Sequence, residues 1–384
     1  MRKDYLIFGS PLVEEAEINE VVDSLRTGWL GTGPKVQEFE SDFKAYKQSP
    51  FAVAVNSCTT AMHLSMIAAG IGTGDEVITS AMTFCATVNA IIHTGAKPVL
   101  VDCDISNQCI IPQSIREKIN SRTKAIVPVH FAGNACDMSA IMDIAGEYQL
   151  KIIEDCAHAI ETTYQGKPVG TFGDYGCFSF YATKNIVTGE GGMVIVKHKE
   201  DNDKIRILAL HGMTADAWKR FSDEGYKHYQ VVCPGFKCNM MDIQAALGIH
   251  QLKRVDRNLQ RRKEIWQKYN ESFAGLNIIL PSEPAPEIKH AYHLYTILID
   301  KDRVGISRDE FLSAMHRENI GTGVHYLSIP EHPFYQTTFG WKPEDYPNAM
   351  KIGRETVSLP LSAKLTDSDV ESVILAVKKI LRKK

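Results

Sequence analysis

The sequence predicts an α/β fold, with a mostly parallel sheet in a large domain and a smaller α+β domain after it. Two observations support this prediction. From about residue 50, short β-branched runs alternate with longer helical stretches, which is typical of parallel strands covered by helices on both faces. The length of 384 residues is also sufficient for two domains.

The elements of the large domain follow one another in a regular order. Strands are predicted at residues 51–55, 76–79, 98–101, 125–129, 151–154, 177–182 and 193–196. Helices are predicted at residues 59–69, between the first and second strands, and at residues 86–93, between the second and third strands. The last two strands are too close together for another helical crossover, so we expect a tight connection that carries Lys184.

The pattern changes after residue 241. Residues 242–273 form one long helical pattern that we expect to connect the domains. Beyond it, strands are predicted at 292–299 and 323–326, and helices with Ser or Asp starts at 307–319 and 367–381. We therefore predict a large domain at residues 1–254 and a small domain at 255–384.

Composition and charge argue against several classes of protein. Hydrophobic residues make up 44% and charged residues 23%, as in ordinary globular proteins. A formal net charge of -3 gives no electrostatic reason to expect nucleic acid or an anionic membrane as a partner. No apolar run suits a signal peptide or a membrane span. Nine scattered cysteines without a C-x-x-C pair argue against disulfides and zinc knuckles, so we expect a cytoplasmic protein.

Polar and aromatic residues follow several strands at their carboxyl ends, where ligands bind in open parallel sheets. These are Ser57-Cys58-Thr59 after the first strand, Thr83-Phe84 after the second, Asp155 and His158 after the fifth, and Lys184 after the next. Residues far apart in sequence are therefore expected to share one edge of the sheet.

Lys184 is the central candidate. Alternating aromatic and small residues at 178–182 precede it, and a glycine-rich turn at 189–192 follows it. A lysine in a partly apolar place loses its proton more easily and becomes a nucleophile toward aldehydes. The segment alone is equally consistent with a solvated lysine in a hairpin loop, so its interpretation depends on its neighbours.

Each neighbour has a structural and a functional interpretation. Ser57-Cys58-Thr59 fits a plain helix cap, or a phosphate cradle at the positive end of a helix. Asp155 fits a cap, or a carboxylate that keeps a ring nitrogen protonated. Phe84 fits the core, or a ring stacked on a planar cofactor. We expect no metal site at Asp155, Cys156 and His158, because strand alternation sends the first two to opposite faces.

Taken together, the functional interpretations describe one cofactor site. A lysine for a Schiff base, an acid for a pyridine nitrogen, a phosphate cradle and a stacking ring are the parts that pyridoxal 5'-phosphate requires.

The chain also resembles the DegT/DnrJ/StrS-type sugar aminotransferases nearly end to end. The matching segments, in order, are 27–34, 56–64, 154–159, 178–185 with 189–192, 234–246 and 321–326. The resemblance implies a fold-type I (aspartate aminotransferase-like) enzyme with a seven-stranded, mostly parallel sheet. It also implies pyridoxal phosphate as cofactor and a homodimer with a shared active site.

The same resemblance implies residue roles. Lys184 would form the Schiff base, and Asp155 would contact the pyridine nitrogen. The other implied cofactor contacts are His158 at the ring hydroxyl, Phe84 on the ring, Ser57, Cys58, Thr59 and Ser179 at the phosphate, and Asn239 from the neighbouring subunit. Cys58 departs from the Gly or Ala of many members. Because relatives with histidine at the lysine position act as dehydratases, Lys184 predicts transamination.

The expected reaction moves an amino group from L-glutamate to a nucleotide-linked 4-ketosugar, in cell-surface polysaccharide, lipopolysaccharide or amino-sugar biosynthesis. Segments 211–220 and 234–242 are closest to the branch that makes UDP-4-amino-4-deoxy-L-arabinose. Similar segments occur in members that aminate 4-keto-6-deoxy-N-acetyl sugars on UDP.

Candidates for the acceptor side are Trp29, Lys237, His325 and Tyr326, since a cation suits a diphosphate and an aromatic ring suits a sugar or base. His325 is equally consistent with a domain-interface histidine. The alternatives are a 3-keto or dTDP-linked ketosugar, another pyridoxal phosphate reaction such as dehydration or cysteine desulfuration, and a non-catalytic regulator with the same fold.

Overall fold

A computed structural model describes residues 2–214 and 229–381 of the chain. The strands, in chain order, are β1 Phe51–Val55, β2 Glu76–Ser80, β3 Lys97–Val101, β4 Thr123–Val127, β5 Lys151–Asp155, β6 Thr163–Tyr164, β7 Lys167–Pro168, β8 Tyr175–Ser179, β9 Gly192–Val196, β10 Ile288–Lys289, β11 Tyr295–Leu298 and β12 Thr356–Leu359.

The helices of the described residues surround these strands. They are α1 Glu15–Thr27, α2 Pro34–Tyr46, α3 Cys58–Ala68, α4 Cys85–His93, α5 Pro112–Lys118, α6 Met138–Tyr148, α7 Lys199–Ala209, α8 Asp242–Lys253, α9 Val255–Phe273, α10 Lys301–Val304, α11 Arg308–Arg317, α12 Pro333–Phe339, α13 Pro347–Glu355 and α14 Asp367–Leu381. Within residues 2–214 and 229–381, no helix combines the length and the apolar character needed to cross a membrane.

A seven-stranded sheet in the order β1-β9-β8-β5-β4-β2-β3 organises the large part of the chain. Neighbouring strands from β8 to β3 are parallel, whereas β9 is antiparallel to both β1 and β8. The predicted mostly parallel sheet is therefore confirmed. The carboxyl ends of all strands except β9 meet at one edge, and β9 begins there.

Alternation along the strands fills both sides of the sheet. In β8 and just after it, Phe178 and Phe180 pack in one apolar cluster with Phe39 and Phe43. Cys177, which directly precedes Phe178 in β8, belongs to the cluster on the opposite face. Burial on both faces explains why the strands are short continuous apolar runs.

A second region of packing lies in the C-terminal part of the chain. There α9, α11 and α14 cover β11 and β12, with Trp266, Tyr269 and Phe311 buried among them. The N-terminal segment reaches this region, since Leu6 pairs with Ile320. The domain boundary at residue 254 remains a prediction.

Two predicted elements differ from the structure in more than the positions of their ends. The helix predicted at 242–273 is broken at Arg254, whose φ of -115° and ψ of 13° are not helical. The strand predicted at 323–326 is wrong, because only Gly323 pairs, with Ser358. His325 and Tyr326 instead line the cavity described next.

Candidate active site

A cavity of about 430 Å³ lies at the edge where the parallel strands end. Ten of the thirteen residues singled out from the sequence line it, namely Ser57, Cys58, Thr59, Phe84, Asp155, His158, Ser179, Lys184, His325 and Tyr326. The fold thus brings together residues at or after the ends of β1, β2, β5 and β8, with His325 and Tyr326 from the C-terminal part of the chain. The other three, Trp29, Lys237 and Asn239, do not line it.

Lys184 lies in the connection between β8 and β9, and its N–H donates to the carbonyl of Tyr181 at 2.8 Å. Although part of the side chain is accessible, burial of the amine lowers the pKa of Lys184 to about 8. Asp155 and Cys58 oppose this shift only in part. At neutral pH about one tenth of such amines are uncharged, far more than for an ordinary lysine. The environment therefore suits a nucleophile.

Asp155 is buried at the end of β5, on the same cavity. Burial raises its pKa, while two hydrogen bonds favour the carboxylate and lower it. Its Oδ1 accepts from the N–H of Ala157 at 3.1 Å, and its Oδ2 accepts from the hydroxyl of Thr87 at 2.8 Å. These contacts fix the carboxylate in one orientation.

His158 is held in one neutral form. Its Nδ1 accepts from the N–H of Ala132 at 3.2 Å, so the ring proton lies on Nε2, which is 3.0 Å from the hydroxyl of Tyr326. Burial keeps the pKa of His158 well below its ordinary value. The imidazole can therefore donate from Nε2 without carrying a charge.

The amino end of α3 forms the opposite wall. Ser57 caps the helix, since its Oγ accepts from the N–H of Thr60 at 3.1 Å. The N–H groups of Cys58 and Thr59 come first in the helix and have no intrahelical acceptor. Gly192 lies against this turn, where an added Cβ would be only 2.4 Å from the carbonyl carbon of Ser57. The result is a backbone cradle suited to a phosphate.

Aromatic residues border the cavity. Phe84 is 52% exposed, and its ring centroid is 5.2 Å from that of Tyr326. His325 bonds through Nδ1 to the hydroxyl of Ser358 at 2.8 Å, and burial lowers the pKa of His325 to about 4. Phe84 thus presents a free ring face, whereas the ring of His325 is held in place by its hydrogen bond to Ser358.

Two of the three candidates outside the cavity, Lys237 and Asn239, contact each other. The side-chain N–H of Asn239 donates to the hydroxyl of Thr32 at 2.5 Å, and its Oδ1 accepts from Lys237 at 2.5 Å. Trp29 is 52% exposed. None of these three side chains lines the cofactor cavity of its own chain.

Sequence reasoning missed two residues close to the site. Thr87 contacts Asp155, and the buried ring of His293 is 4.5 Å from that of His158. His293 also bonds through Nδ1 to Asn185, the residue after Lys184, at 2.9 Å. Thr87 lies in the first turn of α4, which begins directly after Phe84, so the sequence did indicate that Thr87 is close to the proposed site. Nothing in the sequence indicated His293.

One buried group of possible metal ligands, His130, Glu154 and Cys156, occurs in the described part of the chain. Both oxygens of Glu154 already accept hydrogen bonds, from His130 and from the N–H groups of Gly170 and Gly173. Burial also raises the pKa of Cys156 well above its ordinary value, so its thiol stays protonated. The group is a hydrogen-bonded anchor for residues 170–173.

The cavity fits pyridoxal phosphate. Lys184 offers an amine of lowered pKa, Asp155 a buried carboxylate, Phe84 a free ring face and α3 a cradle of N–H groups. The fold and the site therefore define a pyridoxal phosphate-dependent enzyme of fold type I.

Comparison with known proteins gives the family. The model of the DegT/DnrJ/EryC1/StrS aminotransferase family matches residues 11–378. The spore coat polysaccharide biosynthesis protein SpsC of Bacillus subtilis is 48% identical over 382 residues, covering 99% of this chain and 98% of SpsC. The chain belongs to the DegT/DnrJ/EryC1/StrS aminotransferase family.

Solved structures agree with this membership. The putative sugar aminotransferase Spr1654 of Streptococcus pneumoniae, in its pyridoxal phosphate form, matches with a TM-score of 0.91 and 34% identity over 99% of both chains. Helicobacter pylori PseC, an aminotransferase involved in pseudoaminic acid biosynthesis, matches with a TM-score of 0.91 and 27% identity over 100% of both chains. The protein is a pyridoxal phosphate-dependent sugar aminotransferase.

Proposed function

We propose that the enzyme moves an amino group from L-glutamate to a nucleotide-linked 4-ketosugar, with UDP as the nucleotide. The observation that carries the transamination chemistry of this proposal is the cavity in which Lys184, with its pKa lowered to about 8, lies with Asp155 and the amino end of α3. The cavity also has an aromatic border at Phe84 and Tyr181, 52% and 46% exposed, which suits a large acceptor.

The residues have separate roles in the proposed reaction. When bound, pyridoxal phosphate supplies an aldehyde carbon that takes up the amino group and a ring that withdraws electrons. Lys184 holds the cofactor through Nζ and, once released, moves a proton to and from the carbon atoms that exchange the amine. Asp155 keeps the proton on the pyridine nitrogen, and His158 donates from Nε2 to the ring hydroxyl. Ser57, Cys58, Thr59 and Ser179 bind the phosphate.

A second copy of the chain completes the proposed site. Asn239 bonds Thr32 and Lys237 instead of lining its own cavity. Its surroundings include exposed apolar side chains, with Trp29 at 52% and Met241 at 44% exposure. Asn239 is the proposed phosphate ligand, and an exposed apolar patch lies beside it. This arrangement supports a homodimer in which Asn239, Trp29 and Lys237 reach the cavity of the neighbouring subunit.

The acceptor class rests on the relatives. SpsC is named for spore coat polysaccharide biosynthesis and PseC for pseudoaminic acid biosynthesis, which supports a role in cell-surface polysaccharide or amino-sugar synthesis. The UDP-4-amino-4-deoxy-L-arabinose branch is one hypothesis within this class, and residues 215–220 of its matching segment lie outside the described residues. All nine cysteines are free thiols, which suits the cytoplasm.

The first test is the visible absorption spectrum of the purified holoenzyme before and after L-glutamate. We expect a yellow band that bleaches with glutamate and returns with a UDP-linked 4-ketosugar. Recovery only with a dTDP-linked or 3-keto sugar would move the assignment to that acceptor. A band indifferent to glutamate would contradict the donor, and no band after added pyridoxal phosphate would favour a regulator.

A further inference from the structure

Two buried threonines on the wall of the cavity form a chain of hydroxyl groups that ends at Asp155. The Oγ1 of Thr87 donates to Oδ2 of Asp155 at 2.8 Å, and the hydroxyls of Thr83 and Thr87 are also 2.8 Å apart. Thr83 and Thr87 are each 1% exposed, and Asp155 is 4% exposed. Neither threonine hydroxyl depends on solvent for a partner.

The direction of these hydrogen bonds follows from the acceptor. An ionised carboxylate only accepts, so the single hydroxyl proton of Thr87 points to Asp155. Thr87 must then accept from Thr83. The chain therefore runs from Thr83 through Thr87 to Oδ2, and each donor strengthens the next by polarising it.

The contacts also distinguish the two oxygens of Asp155. Oδ1 accepts from the N–H of Ala157 at 3.1 Å and has the thiol of Cys58 at 4.0 Å. Burial raises the pKa of Cys58 well above its ordinary value, so the thiol remains a donor. Each carboxylate oxygen has about two lone-pair sites. Oδ1 has two neighbouring donors, whereas Oδ2 has one and retains a site for the ligand in the cavity.

We propose that Thr83 and Thr87 are positioning residues that orient Oδ2 of Asp155 toward the pyridine nitrogen of the cofactor and limit the basicity of this oxygen. The inference rests on the proposed role of Asp155. Burial raises the pKa of Asp155, and the Thr87 hydroxyl opposes that shift. Without this hydroxyl, the carboxylate becomes more basic and draws the shared proton away from the ring, which then withdraws electrons less well.

The test compares Thr87→Val, which keeps the shape of the side chain, with Thr87→Ser, which keeps the donor. Thr79→Val is the matched control, because Thr79 is a fully buried threonine that donates at 2.9 Å to the carbonyl of Val127 in the same sheet. Each holoenzyme is loaded with cofactor labelled with ¹⁵N in the ring. The solid-state ¹⁵N resonance and the single-turnover rate with saturating glutamate are then measured.

For Thr87→Val we expect the resonance to move toward that of an unprotonated ring and the rate to fall about tenfold, the usual effect of losing one hydrogen bond to a charged group. Thr87→Ser should restore both, and Thr83→Val should give a smaller change in the same direction. Thr79→Val should leave both as in the wild type.

Three outcomes would overturn the inference: a wild-type resonance and rate in Thr87→Val, an equal loss in Thr87→Ser, or an equal loss in Thr79→Val. Failure of the proposed function looks different. An unprotonated ring in the wild type would refute the role of Asp155 itself, and a wild type that does not respond to glutamate would refute the donor.

Discussion

Replacing Gly192 by alanine tests the phosphate cradle directly. A Cβ at this position would be 2.4 Å from the carbonyl carbon of Ser57, 2.6 Å from its oxygen and 2.7 Å from the nitrogen of Cys58. All three atoms belong to the backbone, so no side-chain rotation relieves the overlap. Ordinary contact begins at 3.4 Å, and α3 must therefore move away from β9 by about 1 Å.

Such a displacement removes at least one N–H group from the phosphate position. A hydrogen bond to a charged group contributes about 1.5–3 kcal/mol, so we expect the dissociation constant for pyridoxal phosphate to rise about tenfold to hundredfold. Overpacking should also lower the free energy of unfolding of the apo-protein by about 1–3 kcal/mol. Fluorescence titration of apo-protein with cofactor, and denaturant unfolding, measure the two effects separately.

Gly146→Ala is the matched control. Gly146 lies on the exposed side of α6, and an added Cβ meets nothing within 4 Å. We expect unchanged cofactor affinity and a gain in stability of about 0.5–1 kcal/mol, since alanine favours a helix over glycine. If Gly192→Ala bound pyridoxal phosphate as tightly as the wild type, the amino end of α3 would not be the phosphate site.

The remaining predictions concern buried charges. Lys184→Ala should abolish turnover with an unchanged circular dichroism spectrum, and retained activity would show that another group carries the reaction. Because the pKa of Lys184 is lowered to about 8, the rate at which apo-protein develops the visible band with added cofactor should rise about tenfold per pH unit below that value and level off above it. Lys47 is fully buried, and burial lowers its pKa from 10.5 to about 8. Lys47→Met should therefore raise the free energy of unfolding near pH 7. We expect a gain of about 2 kcal/mol, which allows for the loss of the hydrogen bond from Lys47 to the carbonyl of Ile160. The folded wild type binds fewer protons than the unfolded chain between those two values, so its stability should rise with pH in that window, and the variant should lack the rise. Arg262→Met leaves the buried carboxylate of Glu161 without its ion-pair partner, so the free energy of unfolding, measured with denaturant, should fall by about 3–5 kcal/mol. The double variant with Glu161→Gln should recover much of this loss.

The sequence predicted the sheet well because its strands are buried on both faces. A short continuous apolar run between turn residues has few other interpretations, and β1 and β2 were placed almost to the residue. The strand predicted at 323–326 was wrong for a related reason. Its aromatic residues His325 and Tyr326 border a cavity instead of filling a sheet, and the local pattern is the same in both cases.

The convergence of the proposed cofactor residues on one cavity was predictable because the carboxyl ends of parallel strands meet at one edge. The contacts that hold these residues in place depend on tertiary packing, and they were not predictable from the sequence. His293 comes from a loop more than a hundred residues away from His158 in sequence, and only the docking of residues 290–294 on residues 132–133 brings the rings together. Asn239 shows a further limit, since its proposed role on a neighbouring subunit rests on the family resemblance, while in its own chain it bonds Thr32 and Lys237 and does not line the cavity.

The reversed direction of β9 links Lys184 to the amino end of α3. A parallel β9 would begin at the far edge of the sheet, and its crossover would carry Lys184 away from the cavity. Because β9 is antiparallel, Gly192 pairs with Val55 on one side and Ser179 on the other, at the edge where the cavity lies. The residues between β8 and β9 then have only this edge to occupy. The antiparallel direction of β9 therefore positions both Lys184 and Gly192, the residue against which α3 begins. For this reason, a side chain added at residue 192 should disturb cofactor binding, although residue 192 is separate from Lys184 in sequence.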